Sequence, residues 1–333
     1  MSVIPFDVAG QKGAMPASGF GTATLHGDVC EAAVRAAIKA GCRLIDTALL
    51  YNNQEAVGRA IKAAIAAGEV TRAELWVTTK VAFYPEAHTG ANGWVPIAYH
   101  AANVKGAAAT AAGVDLCLQL LGLDYVDLLL IHNPCTGLAD FDASSVPHCF
   151  ELGRSRLTGE ERALVLAHRL SRVHVDAAAA EASRAASWRA LEAARAAGKA
   201  RFIGVSNFST HLVAEMDRFA TVAAAVNQLE LHPRYASPAL QAEARRRGMA
   251  LTAYGTGNSV AIERSAVVAR IAAARGCSPI AVVLKWTLQK GIAVIPRTAT
   301  PAHIAENLAV ADAPPLTDAQ VAELDAMDEK HPY

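Results

Sequence analysis

The chain has 333 residues, 53% of them apolar and 19% charged, with 31 basic and 31 acidic side chains balancing to a formal charge of zero. Such a composition can bury a sizeable core, and the charge balance argues against a nucleic-acid binder held by phosphate neutralisation. The length suits one large barrel or two ordinary domains.

Six cysteines, at 30, 42, 117, 135, 149 and 277, are widely spaced and form no CxxC pair, so neither a metal-ligand set nor a disulfide framework is expected. They read as free thiols of a reducing compartment. The first twenty residues, MSVIPFDVAGQKGAMPASGF, lack a basic segment followed by an apolar run. No uninterrupted apolar stretch reaches membrane-spanning length. The cytoplasm is the expected location, with no membrane partner.

Taken in order, Val3 to Met15 holds two apolar pieces around the turn-rich DVAGQKGAMP and predicts a hairpin. GFGTA, residues 19–23, is a strand end passing into a helix from about Val29 to Ala40. Arg43-Leu44-Ile45 is a second strand, leading through a loop with Asp46 and Tyr51 into a helix that starts near Asn53. LWVTTK, residues 75–80, is a third strand with Lys80 at its carboxyl end. An irregular segment at about 81–100 precedes a helix from about Ala101 to Leu121. The fourth strand, in YVDLLLIHNP, carries His132 at its end. A second insertion, 135–176, includes a capping box of Thr158 with Glu161 and runs into an alanine-rich helix ending near Ala197.

ARFIGVSNFS gives the fifth strand, with Ser206 and Asn207 at its end, and AAVNQLELHP the sixth, with Asn227 and Gln228 inside it and His232 just beyond. MALTAYGTGNS is the seventh, followed by helical sequence from about Glu263 through Gln289. GIAVIPRTATP is the eighth, and a short helix holding His303, Glu306 and Asn307 follows. A last helix opens at Leu316-Thr317-Asp318. Eight strands alternating with helices predict a single (β/α)8 barrel, an α/β TIM barrel, over residues 1–333, with an N-terminal hairpin and both insertions in βα loops. A doubly wound sheet is disfavoured because Thr24 stands where the third glycine of GxGxxG would be required.

In such a barrel the strands' carboxyl ends share one rim, bringing together Asp46 with Tyr51, Lys80 and His132. Taken alone, Asp46 could simply cap backbone amides and Tyr51 simply pack. Together they suit carbonyl chemistry. An ammonium about 4 Å from a phenol favours the phenolate by roughly 4 kcal/mol at an effective dielectric near 20, before desolvation opposes it. Asp46 can anchor the lysine, and a neutral His132 can donate a hydrogen bond to a carbonyl oxygen.

The series GFGTA, DTALLYNNQEAVGRAI, TTK, LGLDYVDLLLIHNP, GKARFIGVSNFS, VNQLELHP, TAY and VIPRTATPAHIAEN resembles the aldo-keto reductases, in that family's order and over nearly the whole chain outside the insertions. The resemblance implies a nicotinamide cofactor bound in extended form, NADPH rather than NADH, and a small-molecule carbonyl substrate. It implies Asp46, Tyr51, Lys80 and His132 as the catalytic four, with Tyr51 the general acid. It also implies cofactor contacts from Gly21, Thr22, Ala23, Ser206, Asn207, Gln228, Tyr254, Gly255, Gly257, Ser259, Arg297, Thr298, His303, Glu306 and Asn307. In this scheme Ser206, Asn207 and Gln228 hold the carboxamide, Tyr254 stacks on the nicotinamide, Gly255, Gly257 and Ser259 line the pyrophosphate, Arg297 and Thr298 meet the 2′-phosphate, and Glu306 and Asn307 hold adenine.

The chain departs from the family pattern with Arg297 where lysine is usual and His303 where arginine is usual; the second change weakens one phosphate contact. The substrate pocket, expected from Ala23, Leu50, Ala82 and Asn133, lacks aromatic rings often found at three of those positions, unless Phe83, Tyr84 or Trp94 folds in. A monomer is expected. Two other readings stand beside a reductase: a cofactor-binding regulatory or interaction protein with negligible turnover, and an aldolase-like barrel using Lys80 as a Schiff-base lysine.

Overall fold

The computed structural model describes residues 2–81, 106–134, 177–256 and 265–328. The two expected insertions, the Thr158 capping box, Ala82, Phe83, Tyr84, Trp94, Gly257 and Ser259 lie outside these residues.

The hairpin forms as expected. β1 (Val3–Val8) pairs antiparallel with β2 (Gln11–Pro16) around Gly10, and alternation along β1 buries Ile4, Phe6 and Val8. It closes the amino-terminal end of a barrel of eight parallel strands: β3 (Phe20–Gly21), β4 (Leu44–Asp46), β5 (Trp76–Val81), β6 (Val126–Ile131), β7 (Ala200–Ser206), β8 (Val226–Glu230), β9 (Ala250–Tyr254) and β10 (Ala293–Val294). Each pairs with its sequence neighbours, the order parallel strands take when helices cross between them. Closure comes from Ser18 bridging Val294 and from the Gly21 amide donating to Pro296 O at 3.1 Å.

The helices cover the outside. α1 (Gly27–Lys39), α2 (Gln54–Ala66) and α3 (Ala107–Leu121) bury faces that include Val34, Ile61 and Leu121 against the strands. Inside the barrel floor, Phe6, Trp76 and Phe202 form a ring cluster with centroid separations of 4.8 to 6.5 Å. Gln11, buried, fixes the hairpin to this floor: its amide nitrogen donates to Ile203 O and Ala223 O, and its amide oxygen accepts from the Ile203 amide. Both faces of β5 and β6 are buried, as apolar parallel strands require.

The helical sequence expected from about Glu263 through Gln289 forms two helices in its described part, Ala266–Arg275 and Pro279–Gln289, bent by 92°. Gly276 ends the first in the left-handed region at φ 62°. Ser278 then caps the second by accepting from the Ala281 amide, with Pro279 at its first position. Ser265 caps the first of these helices, and Glu263 lies outside the described residues. A short helix, Thr210–Glu215, follows β7 with Ser209 as its cap and was not anticipated. No single helix among the described residues is long and apolar enough to cross a membrane.

Gly21 sits at the seam, where an added Cβ would lie 2.6 Å from Ile295 O. Gly21→Ala is therefore expected to force the first and last strands apart and lower the unfolding free energy by about 1–3 kcal/mol, as overpacking does. Urea unfolding followed by far-UV circular dichroism measures it.

Candidate active site

At the carboxyl rim, β4 ends in Asp46 and β5 presents Lys80, both essentially without solvent exposure. Lys80 Nζ donates to Asp46 Oδ1 at 2.6 Å, to Thr47 O at 3.0 Å and to the Tyr51 hydroxyl at 3.2 Å. Three acceptors are the full complement of an ammonium, so the arrangement suits a charged lysine and leaves no lone pair for Schiff-base attack. Burial pushes both ionisations the unfavourable way, Asp46 up and Lys80 down, and the contact between them opposes it. Asp46 Oδ2 is also engaged, accepting from Gln228 Nε2 at 2.7 Å.

Tyr51 is half-buried at the end of a short 3-10 turn, Leu49–Tyr51, which Asn52 closes in the left-handed region at φ 49°. Asparagine tolerates that backbone better than most residues. The loop is fixed from below by Asn53. Its amide nitrogen donates to Thr22 O and Leu25 O, and its amide oxygen accepts from Thr47 Oγ1 at 2.8 Å. Sequence reading took Asn53 only as the start of a helix. Its side chain makes no cap bond but joins the loops after β3 and β4. Thr22 continues this bracing, with its hydroxyl and its amide both donating to Asp46 O.

His132 stands just past β6, with its ring centroid 5.6 Å from that of Tyr51 and the rings near perpendicular. It is 7% exposed, and burial first, with the Lys80 ammonium second, holds its pKa well below the ordinary imidazole value. His132 is thereby held neutral, and its Nδ1 meets no hydrogen-bond partner among the described residues. The four residues expected to act together, Asp46, Tyr51, Lys80 and His132, are thus brought to one point on the rim.

Beside them lies a second polar set. Asn207, in the left-handed region at φ 64°, donates through Nδ2 to His132 O at 2.9 Å and to Asn133 Oδ1 at 2.8 Å, and its Oδ1 accepts from the Tyr254 hydroxyl at 2.7 Å. Ser206 Oγ donates to Gln228 O at 2.8 Å. Gly255 follows at φ 73°, with Glu230 against the position of its missing Cβ. Past β10, Arg297 and Thr298 are half-buried, His303 is exposed, Glu306 is half-buried and Asn307 is buried. Of the expected pocket residues, Ala23, Leu50 and Asn133 are half-buried.

The family model for the aldo/keto reductase family matches residues 18–329. The chain belongs to the aldo/keto reductase family. It is 33% identical over 307 residues to an NAD(P)H-dependent D-xylose reductase of Scheffersomyces stipitis, covering 88% of this chain and 85% of that protein. A D-galacturonate reductase of Hypocrea jecorina is 32% identical over 301 residues, covering 90% of this chain and 83% of that one. Among solved structures, an aldo/keto reductase of Brucella melitensis superposes with a TM-score of 0.72 at 25% identity, over 98% of this chain and all of that chain. The protein is accordingly an oxidoreductase fold of a family that uses nicotinamide dinucleotides.

The residues present fit such a cofactor. A carboxamide needs both donors and acceptors, and Asn207, Gln228 and Ser206, side chains that carry both kinds, stand beside Asp46 and Lys80, where they now bond to one another and to neighbouring protein groups. Because His132 is held neutral, the stability linked to it is complete above the ordinary imidazole pKa near 6.5 and is lost as pH falls below that value toward the depressed native one. Replacing His132 by Gln is expected to flatten folding stability between about pH 7 and pH 4 relative to the parent. Urea unfolding across that range measures it.

Proposed function

We propose that the protein is an NADPH-dependent carbonyl reductase that converts an aldehyde or ketone to an alcohol, with Tyr51 as the general acid. The observation that carries this reading is the Lys80 ammonium donating to the Tyr51 hydroxyl while Asp46 anchors it and neutral His132 stands alongside. A carbonyl oxygen placed between Tyr51 and His132 accepts a hydrogen bond from each, which polarises the carbonyl carbon. Ser206, Asn207, Gln228 and Tyr254 would hold the nicotinamide cofactor, which when bound would supply the hydride for that carbon. Tyr51 gives its proton to the oxygen as negative charge builds there, and Lys80 stabilises the phenolate left behind. Water can then return the proton.

The half-buried Arg297 supports NADPH over NADH, since a guanidinium offers a fixed, forked charge to a phosphate. Gly21, Thr22 and Ala23, with Gly255, Gly257 and Ser259, would lie along the cofactor, and Thr298, His303, Glu306 and Asn307 at its adenosine end. For the substrate, Asn133 and the small Ala23 favour a polyhydroxylated aldehyde over a flat aromatic one, in keeping with the sugar names carried by two relatives.

Tyr51→Phe removes only the phenolic oxygen. It is expected to reduce turnover by about 1,000-fold, within the range that one general acid supplies. Cofactor affinity, read by quenching of tryptophan fluorescence, should change little. Near-normal turnover of this variant would reassign the acid. Failure of both NADPH and NADH to bind the parent chain would remove the reductase reading, whereas binding without turnover across a broad carbonyl panel would leave a regulatory protein.

His303 is exposed on the helix Pro301–Ala309. His303→Arg is expected to tighten NADPH about five- to tenfold, roughly 1 kcal/mol, and to leave NADH within about twofold. The two titrations run side by side measure it, and equal effects would place this residue away from the 2′-phosphate.

A further inference from the structure

Gln228 comes from β8, on the far side of the barrel from β4, and is separated from Asp46 by 182 residues along the chain. It is 2% exposed, and its Nε2 lies 2.7 Å from Asp46 Oδ2. An ionised carboxylate only accepts hydrogen bonds, so it is the nitrogen end of the amide that meets it. The two oxygens of Asp46 are thereby divided, Oδ1 to Lys80 and Oδ2 to Gln228. We propose that Gln228 is a positioning residue for the proton-donating group: by occupying Asp46 Oδ2 it fixes the carboxylate so that Oδ1 alone faces Lys80 and holds that ammonium on Tyr51. The proposal rests on the reductase reading and adds to it, because a residue whose amide serves only the cofactor would have no reason to be bound to Asp46.

Two features of the surroundings make the contact matter. Asp46 is buried, and a carboxylate oxygen without a donor is costly there. The backbone of Asp46 is also fixed, since its carbonyl oxygen accepts from both the amide and the hydroxyl of Thr22, so the carboxylate responds to a lost donor by rotating. A rotated carboxylate that turns both oxygens toward Lys80 draws the ammonium away from the Tyr51 hydroxyl, which is the longest of its three contacts. The titratable groups facing Asp46 are Lys80 from β5 and, beyond it, Tyr51 from the loop after β4 and His132 from the end of β6. The Gln228 donor favours the charged form of Asp46, opposing the effect of burial.

The test uses Gln228→Leu and Gln228→Glu in the full chain. Gln228→Leu is expected to lower kcat by about 10- to 100-fold, the range that a hydrogen bond to a charged group supplies, and to raise the apparent pKa of the acid limb of the kcat profile. Gln228→Glu brings a second carboxyl against Asp46 Oδ2, and only its protonated form can donate there. Its activity relative to the parent should therefore recover as pH falls, opposite to Gln228→Leu. The cofactor-free protein gives a readout independent of turnover. The melting temperature of Gln228→Leu should fall below the parent's at pH 8 and approach it as the pH is lowered and Asp46 takes up its proton.

Two variants with unaltered pH profiles and a weakened NADPH dissociation constant would overturn the proposal and make Gln228 a cofactor contact only, with the reductase reading intact. A melting deficit independent of pH would reduce it to packing and likewise overturn the proposal. If the parent reduces no carbonyl at all, the reductase reading fails, and the melting curves still decide whether Gln228 serves Asp46.

Discussion

The rim is organised by one buried ion pair. Asp46 and Lys80 belong to adjacent strands, and neither charge reaches water. Such a pair is tolerated only when each polar atom has a partner, and here each does: the ammonium meets a carboxylate, a backbone carbonyl and a phenol, and the carboxylate meets an ammonium and an amide. The remaining site geometry follows from that requirement. Tyr51 is where it is because the third N–H of Lys80 needs an acceptor, and Thr47 contributes its carbonyl because the strand ends there.

Rigidity around this pair comes from two asparagines. Asn53 ties the loop after β4 to the loop after β3, and Asn207 ties the end of β6 to β9 through Asn133 and Tyr254. Both are asparagines whose amides cross from one βα loop to another. A barrel rim built of independent loops would otherwise let the donor and the acid drift apart, and an ångström of drift is costly for proton transfer.

Much of this was legible in the sequence. The order of strands, the hairpin and the convergence of Asp46, Tyr51, Lys80 and His132 follow from where short apolar runs stop at polar residues, because parallel strands in a barrel must end on the same side. Within the helical sequence that ends at Gln289, the bend was not singled out, although the Gly-Cys-Ser-Pro run at 276–279 is itself a stop followed by a start. The role of Asn53 was hidden for a different reason: an asparagine before a helix reads as a cap, and nothing local reveals that its amide is spent elsewhere. The Gln228 contact with Asp46 was beyond sequence reading, since alternation along β8 places the residue inside the barrel without saying which opposite strand it reaches.

The seam between the first and last barrel strands has a consequence for the order in which the chain matures. β3 is among the first barrel residues to be synthesised, and its partner across the seam, near Val294 to Pro296, is among the last. Until that segment emerges, the growing sheet carries a free edge at β3 and another at whichever strand is newest, each able to recruit a strand from a second nascent chain. Brevity limits the exposure: β3 and β10 are two residues each, the shortest strands of the sheet. The brevity of the two seam strands is thus also a safeguard against misassembly while the barrel is being made.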